Sequence, residues 1–206
     1  MVGEFGREDL PVRPELRHVP QPDGGVTLEY PRVCPQGHHL GPGRAWVGWS
    51  PIMRLPHITC RTCYEARDLE VAEWCLVDPY DQHTLDDADQ MGLQLVAIPP
   101  PVPAGVGQIK VHVDGRSVAD VDVMLCGECR VGVIEQVRVD EAHWRRGFAW
   151  TAVTAALVRG PGYSWSTTLV ADTDAAREFW ARRFPRIAAG QARYCPHMIE
   201  SWQTTP

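Results

Sequence analysis

CRVGVIEQVRVDEAHWRRGFAWTAVTAALVRG, residues 129–160, joins an apolar run, a glycine preceded by two arginines, and a small-residue segment at helical spacing. RVGVIEQVRV predicts a β-strand, and RRGFAWTAVTAALVRG predicts a helix that stops at Gly160. The first turn of a helix exposes unpaired N–H groups and the positive end of its dipole, so a strand–glycine–helix junction is a ready anion site. Gly147 would let a phosphate approach the main chain closely, and Arg145 and Arg146 would add charge-assisted hydrogen bonds. Ala149, Ala152, Ala155 and Ala156 would let the helix lie close to a sheet. A plain turn also uses glycine, so the elements on either side decide the reading.

Upstream, QIKVHVD and SVADVDVML alternate around DGR, which predicts a hairpin. Downstream, YSWSTTLV predicts a strand. TDAAREFWARRF predicts a helix with Asp172 or Thr173 as N-cap, and ARYCPHMIESW predicts a final strand. Earlier in the chain, VAEWCLVD (71–78) and LQLVAI (93–98) read as strands on either side of a polar segment. IPPPVPAGVG (98–107) reads as a linker, because consecutive prolines cannot donate to a ladder.

With its elements in this order, the segment 107–200 resembles the Gcn5-related N-acetyltransferase (GNAT) family. That family's pyrophosphate loop, Q/R-x-x-G-x-G/A, lies between its fourth strand and third helix. Trp144-Arg145-Arg146-Gly147-Phe148-Ala149 occupies the pattern, with Trp144 where Gln or Arg is usual. The resemblance covers about half the chain. It implies an α/β (α+β) fold, with a mixed, mostly antiparallel sheet and flanking helices. It implies an N-acyltransferase that moves an acyl group from acetyl-CoA or another acyl-CoA to a primary amine of a small molecule or protein. Main-chain N–H groups of residues 145–150 (Arg145, Arg146, Gly147, Phe148, Ala149 and Trp150) would cradle the pyrophosphate. Val137-Arg138-Val139 would pair with the pantetheine arm.

Glu135 lies on the fourth strand, where family members often carry a glutamate that draws a proton from the amine. Strand alternation could equally point it at solvent. The family's frequent general acid, the tyrosine of F-Y-x-x-x-G-F, is replaced by Trp180 in FWARRF, so Tyr194 or Tyr163 would have to serve. The family's first strand and two substrate-binding helices are not recognisable upstream of 107. Two other functions are compatible with the same residues. Some proteins of this fold take the acyl group from aminoacyl-tRNA, which would make Arg145, Arg146, Arg182 and Arg183 phosphate contacts. A zinc-stabilised binding module without catalysis is the other.

Four of the seven cysteines form two C-x-x-C pairs. CPQGHHL and HITCRTC place Cys34 and His38 about twenty residues ahead of Cys60 and Cys63. Two such knuckles supply the four soft and borderline ligands of a tetrahedral zinc ribbon, with His39 or His57 as spare imidazoles. Residues 30–70 are too few for a core of their own, so a metal would supply the folding energy. LCGECR (125–130) is a second knuckle. Cys126 and Cys129 could bind metal with Cys195 and His197, or with Cys60 and Cys63; they could also be a redox pair or an inert turn.

A net charge of −6 and a pI near 5.7 argue against broad attraction to nucleic acid or an anionic membrane. All but one of the 20 basic residues are arginine. The N-terminus lacks the apolar core of a signal peptide, which predicts a cytoplasmic protein. The expected organisation is an extended or flexible, loosely attached arm over 1–29, a zinc-ribbon-like module over 30–78, a connecting segment with the proline-rich linker over 79–106, and the GNAT-like domain over 107–206.

Overall fold

The computed structural model describes residues 10–204 as a mixed α+β protein built on two main sheets. The N-terminal sheet is assembled from β1 (Val12–Arg13), β4 (Ala45–Ser50), β5 (Leu55–Cys60) and β6 (Glu73–Leu76), in the order β1-β6-β5-β4. A hairpin of β2 (Arg17–Pro20) and β3 (Val26–Glu29) stands beside it. Two short helices, α1 (Arg61–Glu65) and α2 (Leu69–Ala72), carry the chain from β5 back to β6. The small core of this half gathers Leu16, Ile58, Trp74 and Leu76 around Cys34, Cys60 and Cys63.

The larger sheet runs β12-β11-β10-β9-β8-β7, from β7 (Gln82–His83), β8 (Leu93–Ile98), β9 (Val106–Val113), β10 (Arg116–Cys126), β11 (Val131–Val139) and β12 (Ser164–Thr167). β9 and β10 form the hairpin expected at DGR. Asp114 and Gly115 both take positive φ there, as a tight two-residue hairpin turn requires. β11 is antiparallel to β10 and parallel to β12, and α3 (Phe148–Leu157) makes the crossover. Ala152, Ala155 and Ala156 on α3 are fully buried, so the helix axis comes close to the strands as their small size predicts. Thr173 caps α4 (Asp174–Arg183) by accepting from the Ala176 N–H. The chain closes on α5 (Pro196–Thr204). Among the described residues, no helix is long and apolar enough to cross a membrane.

Four expectations are corrected. The proline run joins β8 to β9, antiparallel neighbours in one sheet, and is a hairpin loop instead of a linker. Such a loop needs no ladder donors, so prolines fit it. Residues 10–29 are not a loose arm: β1 pairs with β6 and Val12 is fully buried, while residues 1–9 lie outside the described residues. ARYCPHMIESW ends in a helix, because Pro196 is tolerated at a helix start and Met198 and Ser201, three residues apart, share its buried face. YSWSTTLV contributes only the four residues of β12.

Candidate functional site

Cys34, His38, Cys60 and Cys63 converge so that their ligand atoms all lie within 4.8 Å of one another. The sulfurs of Cys34 and Cys63 are 3.8 Å apart, far beyond a disulfide. His38 Nδ1 lies 3.3 Å from Cys34, 3.2 Å from Cys63 and 3.9 Å from Cys60. Zinc–sulfur and zinc–nitrogen bond lengths imply tetrahedral edges of about 3.6–3.8 Å, so the cluster fits that ion. The His38 N–H points at the Cys34 sulfur, 3.3 Å away, as a tight knuckle requires. Burial first, then the neighbouring sulfurs, push the Cys63 thiol up to about 12, and a bound cation would lower it by displacing the proton. His38, not His39, is the imidazole of the set, and His57 instead meets Glu73 at 3.0 Å.

Cys126 and Cys129 join Cys195 and His197 in a second Cys3His cluster of the same dimensions. His197 Nδ1 is 3.5 Å from Cys126 and 3.4 Å from Cys129, while its Nε2 faces Glu128 at 3.4 Å. A carboxylate on the outer nitrogen fixes the ring orientation of a ligating histidine. Of the partners open to the second knuckle, the chain supplies those at the start of α5. The cluster therefore ties α5 to the β10–β11 turn.

Tyr194, directly before Cys195, donates its hydroxyl to Glu135 Oε2 at 3.1 Å. Glu135 occupies a β-bulge: Asp122 faces Gln136 and Val123 faces Ile134, leaving Glu135 as the unopposed residue of β11. A bulge re-aims a side chain and breaks the simple alternation that would send it to solvent. Its other oxygen, Oε1, is buried without a hydrogen-bond partner among the described residues. Burial first, then Asp122, raises the carboxyl above its ordinary range, with the Tyr194 bond opposing. Tyr163, the other candidate acid, lies elsewhere, against Gly160.

That raised carboxyl carries a stability signature. An acid with a higher proton affinity in the folded state contributes stability that is lost as pH rises through its folded value. Glu135→Gln removes the cost of burying the ionised carboxylate. Its melting temperature relative to the native chain should level off below the ordinary glutamate range, about pH 4, and rise through the interval above it. Thermal melts across that interval check this; a difference independent of pH would show that Glu135 ionises freely.

The edge of β11 beyond Glu135 is open on the β12 side. β12 pairs only with residues Val131–Ile134. The bond from Asp140 N–H to the Val118 carbonyl sets the ladder phase. Val137 and Val139 therefore direct their N–H and C=O groups away from β10. The Val139 carbonyl accepts the Trp144 indole N–H at 2.9 Å, while β12 offers Val137 no partner. At the next junction Gly147 is the N-cap of α3, with φ at +88°. The N–H groups of Phe148, Ala149 and Trp150 precede the first helical bond, from Thr151 to the Gly147 carbonyl.

The surroundings of this loop differ from the expectation in two respects. The close approach that makes glycine necessary comes from the protein itself: a Cβ on Gly147 would stand 1.9 Å from the Val12 carbonyl oxygen. Arg146 turns toward His143 (3.3 Å) and the Phe148 ring, while Arg145, at φ +64°, is exposed. Phe148 is buried, and Trp150 sits between the Arg13 and Arg183 guanidinium groups. Trp180 is buried against Phe179 and Phe184, which accounts for an apolar residue there. Asp122, which binds Arg138 and Gln108 beside Glu135, was not singled out in the sequence; its only signal was its place on an alternating strand. No protein-family model, curated protein or solved structure matches the chain.

Proposed function

We propose that the chain is an N-acyltransferase of GNAT type whose two Cys3His clusters hold structural zinc. The observation that carries this reading is the Glu135–Tyr194 pair, with a buried carboxylate oxygen left without a partner beside an open strand edge. The strand order, with α3 crossing between parallel β11 and β12, supports the family resemblance. The main-chain groups of Val137 would pair with the pantetheine arm, and the first-turn N–H groups of α3 would face the pyrophosphate. Four protein ligands at each metal leave no open position for substrate, so zinc would serve folding. Seven cysteines, none in a disulfide, fit a reducing compartment such as the cytoplasm.

In this reading the acceptor amine attacks the thioester carbonyl and the carbon–sulfur bond breaks. Glu135 takes the amine proton at its unpartnered oxygen. Tyr194 gives its proton to the departing thiolate and is re-protonated by Glu135, so charge and protons balance across the cycle. Most of the rate would come from holding amine and thioester together. A raised carboxyl affinity brings Glu135 nearer the working pH of a general base.

The test combines binding and turnover. Coenzyme A should raise the melting temperature by mass action. Arg145→Glu should weaken that shift without harming the fold, because Arg145 is exposed and its charge would face the phosphates. Glu135→Gln should keep the shift and cut acyl transfer by roughly 10²-fold or more. A native melting curve unmoved by millimolar coenzyme A would refute the acyl-CoA reading. A second reading, a zinc-stabilised binding module without catalysis, is favoured by the Val12 carbonyl that already fills the approach to Gly147. It predicts two bound zinc ions with neither a coenzyme A shift nor acyl transfer to any amine.

A further inference from the structure

A cleft of about 800 Å³ opens between the α3–β12 turn and the segment that follows α4, lined by Tyr163, Trp165, Arg183, Arg186 and Arg193 but by no carboxylate. The concentration of cations is unexpected in a chain of net charge −6. Several arginines elsewhere are held by carboxylates: Arg138 by Asp120 and Asp122, Arg177 by Asp172 and Asp174, Arg182 by Glu178. Arg186 and Arg193 make no ion pair among the described residues, and both are exposed. Arg183 stacks on Trp150 at 4.0 Å, with Glu15 close enough to feel its charge.

The cleft walls are held in place by three glycines. A Cβ on Gly132 would meet the Trp165 ring at 2.5 Å, so the ring lies against bare main chain, and its indole N–H is bound to the Gly160 carbonyl at 3.3 Å. A Cβ on Gly160 would meet the Tyr163 ring at 2.7 Å. Gly162, at φ +75°, leaves room for the Arg130 guanidinium, 3.0 Å from where its Cβ would stand. The main chain of Arg193 is fixed by its N–H bond to the Ser166 hydroxyl at 3.0 Å. Rings fixed in advance lose little entropy when a flat group stacks on them. Unpaired guanidinium groups around a concave surface suit the oxygens of phosphate, which they bind through paired N–H donors.

We propose that this cleft is a nucleotide site, with Arg186 and Arg193 binding phosphate and Tyr163 and Trp165 offering their rings to the base. Its volume is that of a small-molecule site. It lies at the Ser164 end of β12, whereas Glu135 is beyond the Thr167 end, so the inference stands independently of acyl transfer. The phosphates could belong to a free nucleotide or to the 5′ end of an RNA strand, since both present the same group.

Binding to the full, zinc-replete chain can be followed by calorimetry and by tryptophan fluorescence. The probes are ATP, inorganic triphosphate, adenosine and a 5′-phosphorylated oligoribonucleotide. ATP should bind saturably, triphosphate should compete with it, and adenosine should bind much more weakly. Arg186→Glu/Arg193→Glu should weaken ATP by about tenfold or more, since two charge-assisted contacts are reversed. Tyr163→Ala should weaken ATP while sparing triphosphate, a split that mere surface charge would not produce. Arg145→Glu, at the α3 loop, should leave ATP affinity unchanged. The oligoribonucleotide binding far more tightly than ATP would assign the phosphate to nucleic acid, and equal or weaker binding to a free nucleotide. No saturable binding of either, or ATP binding indifferent to the double charge reversal, would overturn the proposal.

Discussion

Cys60→Ser should release one of two zinc ions and unfold the N-terminal sheet. Cys60 is fully buried, and its sulfur belongs to the cluster around which Leu16, Ile58, Trp74 and Leu76 pack. Structural zinc contributes about 10–16 kcal/mol to the folding of small modules. A whole domain is stable by only about 5–15 kcal/mol. Loss of one thiolate therefore removes more than this half of the molecule can spare. Metal analysis should fall from about two ions per chain to about one, and limited proteolysis should cut residues 30–72 first. The larger sheet should persist longer, though with a lower melting temperature. β1 belongs to both halves, because Cys75 N–H binds the Pro11 carbonyl and Val12 N–H binds the Arg146 carbonyl. A Cys60→Ser protein that kept two zinc ions and native protease resistance would show that the cluster does not hold this sheet together.

The parts of the fold that were legible in the sequence are those written by local periodicity. β9, β10 and β11 alternate over eight to eleven residues, long enough for pattern to outweigh accident, and α3 carries its alanines at helical spacing. The first metal cluster was legible because knuckle spacing is a local constraint on ligand geometry. What remained hidden depends on partners far away in the chain. β1 is two residues long, and nothing in Leu-Pro-Val-Arg announces that Val12 will be buried between β6 and Gly147. The four residues of β6 and the loop at 146 create that site, some 60 and 130 positions away. ARYCPHMIESW has apolar residues at both strand and helix spacings, and the docking of α5 at Cys126 and Cys129 arbitrates between them. Glu135 could be named as a candidate, but only the bulge decides where it points, and a bulge is a property of two strands together.

Gly147→Ala should be strongly destabilising, with or without coenzyme A. The left-handed φ of +88° costs an alanine about 1–2 kcal/mol. The new methyl would also stand 1.9 Å from the Val12 carbonyl oxygen and 3.1 Å from its carbon. Main chain on both sides of this contact leaves no side chain to swing away. β1 would have to retreat, breaking the 2.7 Å bond from Val12 N–H to the Arg146 carbonyl and loosening its pairing with β6. Strain and lost packing together put the cost at about 3–5 kcal/mol, or about 10 °C in melting temperature for a chain of this size. The comparison with Arg145→Glu then separates two reasons for conserving space at this loop within the molecule. If glycine serves the Val12 contact, Gly147→Ala melts early even without ligand, and Arg145→Glu alone changes the response to coenzyme A at constant stability. An alanine variant that melts like the native chain but no longer responds to coenzyme A would assign the glycine to the phosphate instead. The packing at Val12 would then have to yield by itself, which main-chain atoms held by β6 are poorly placed to do.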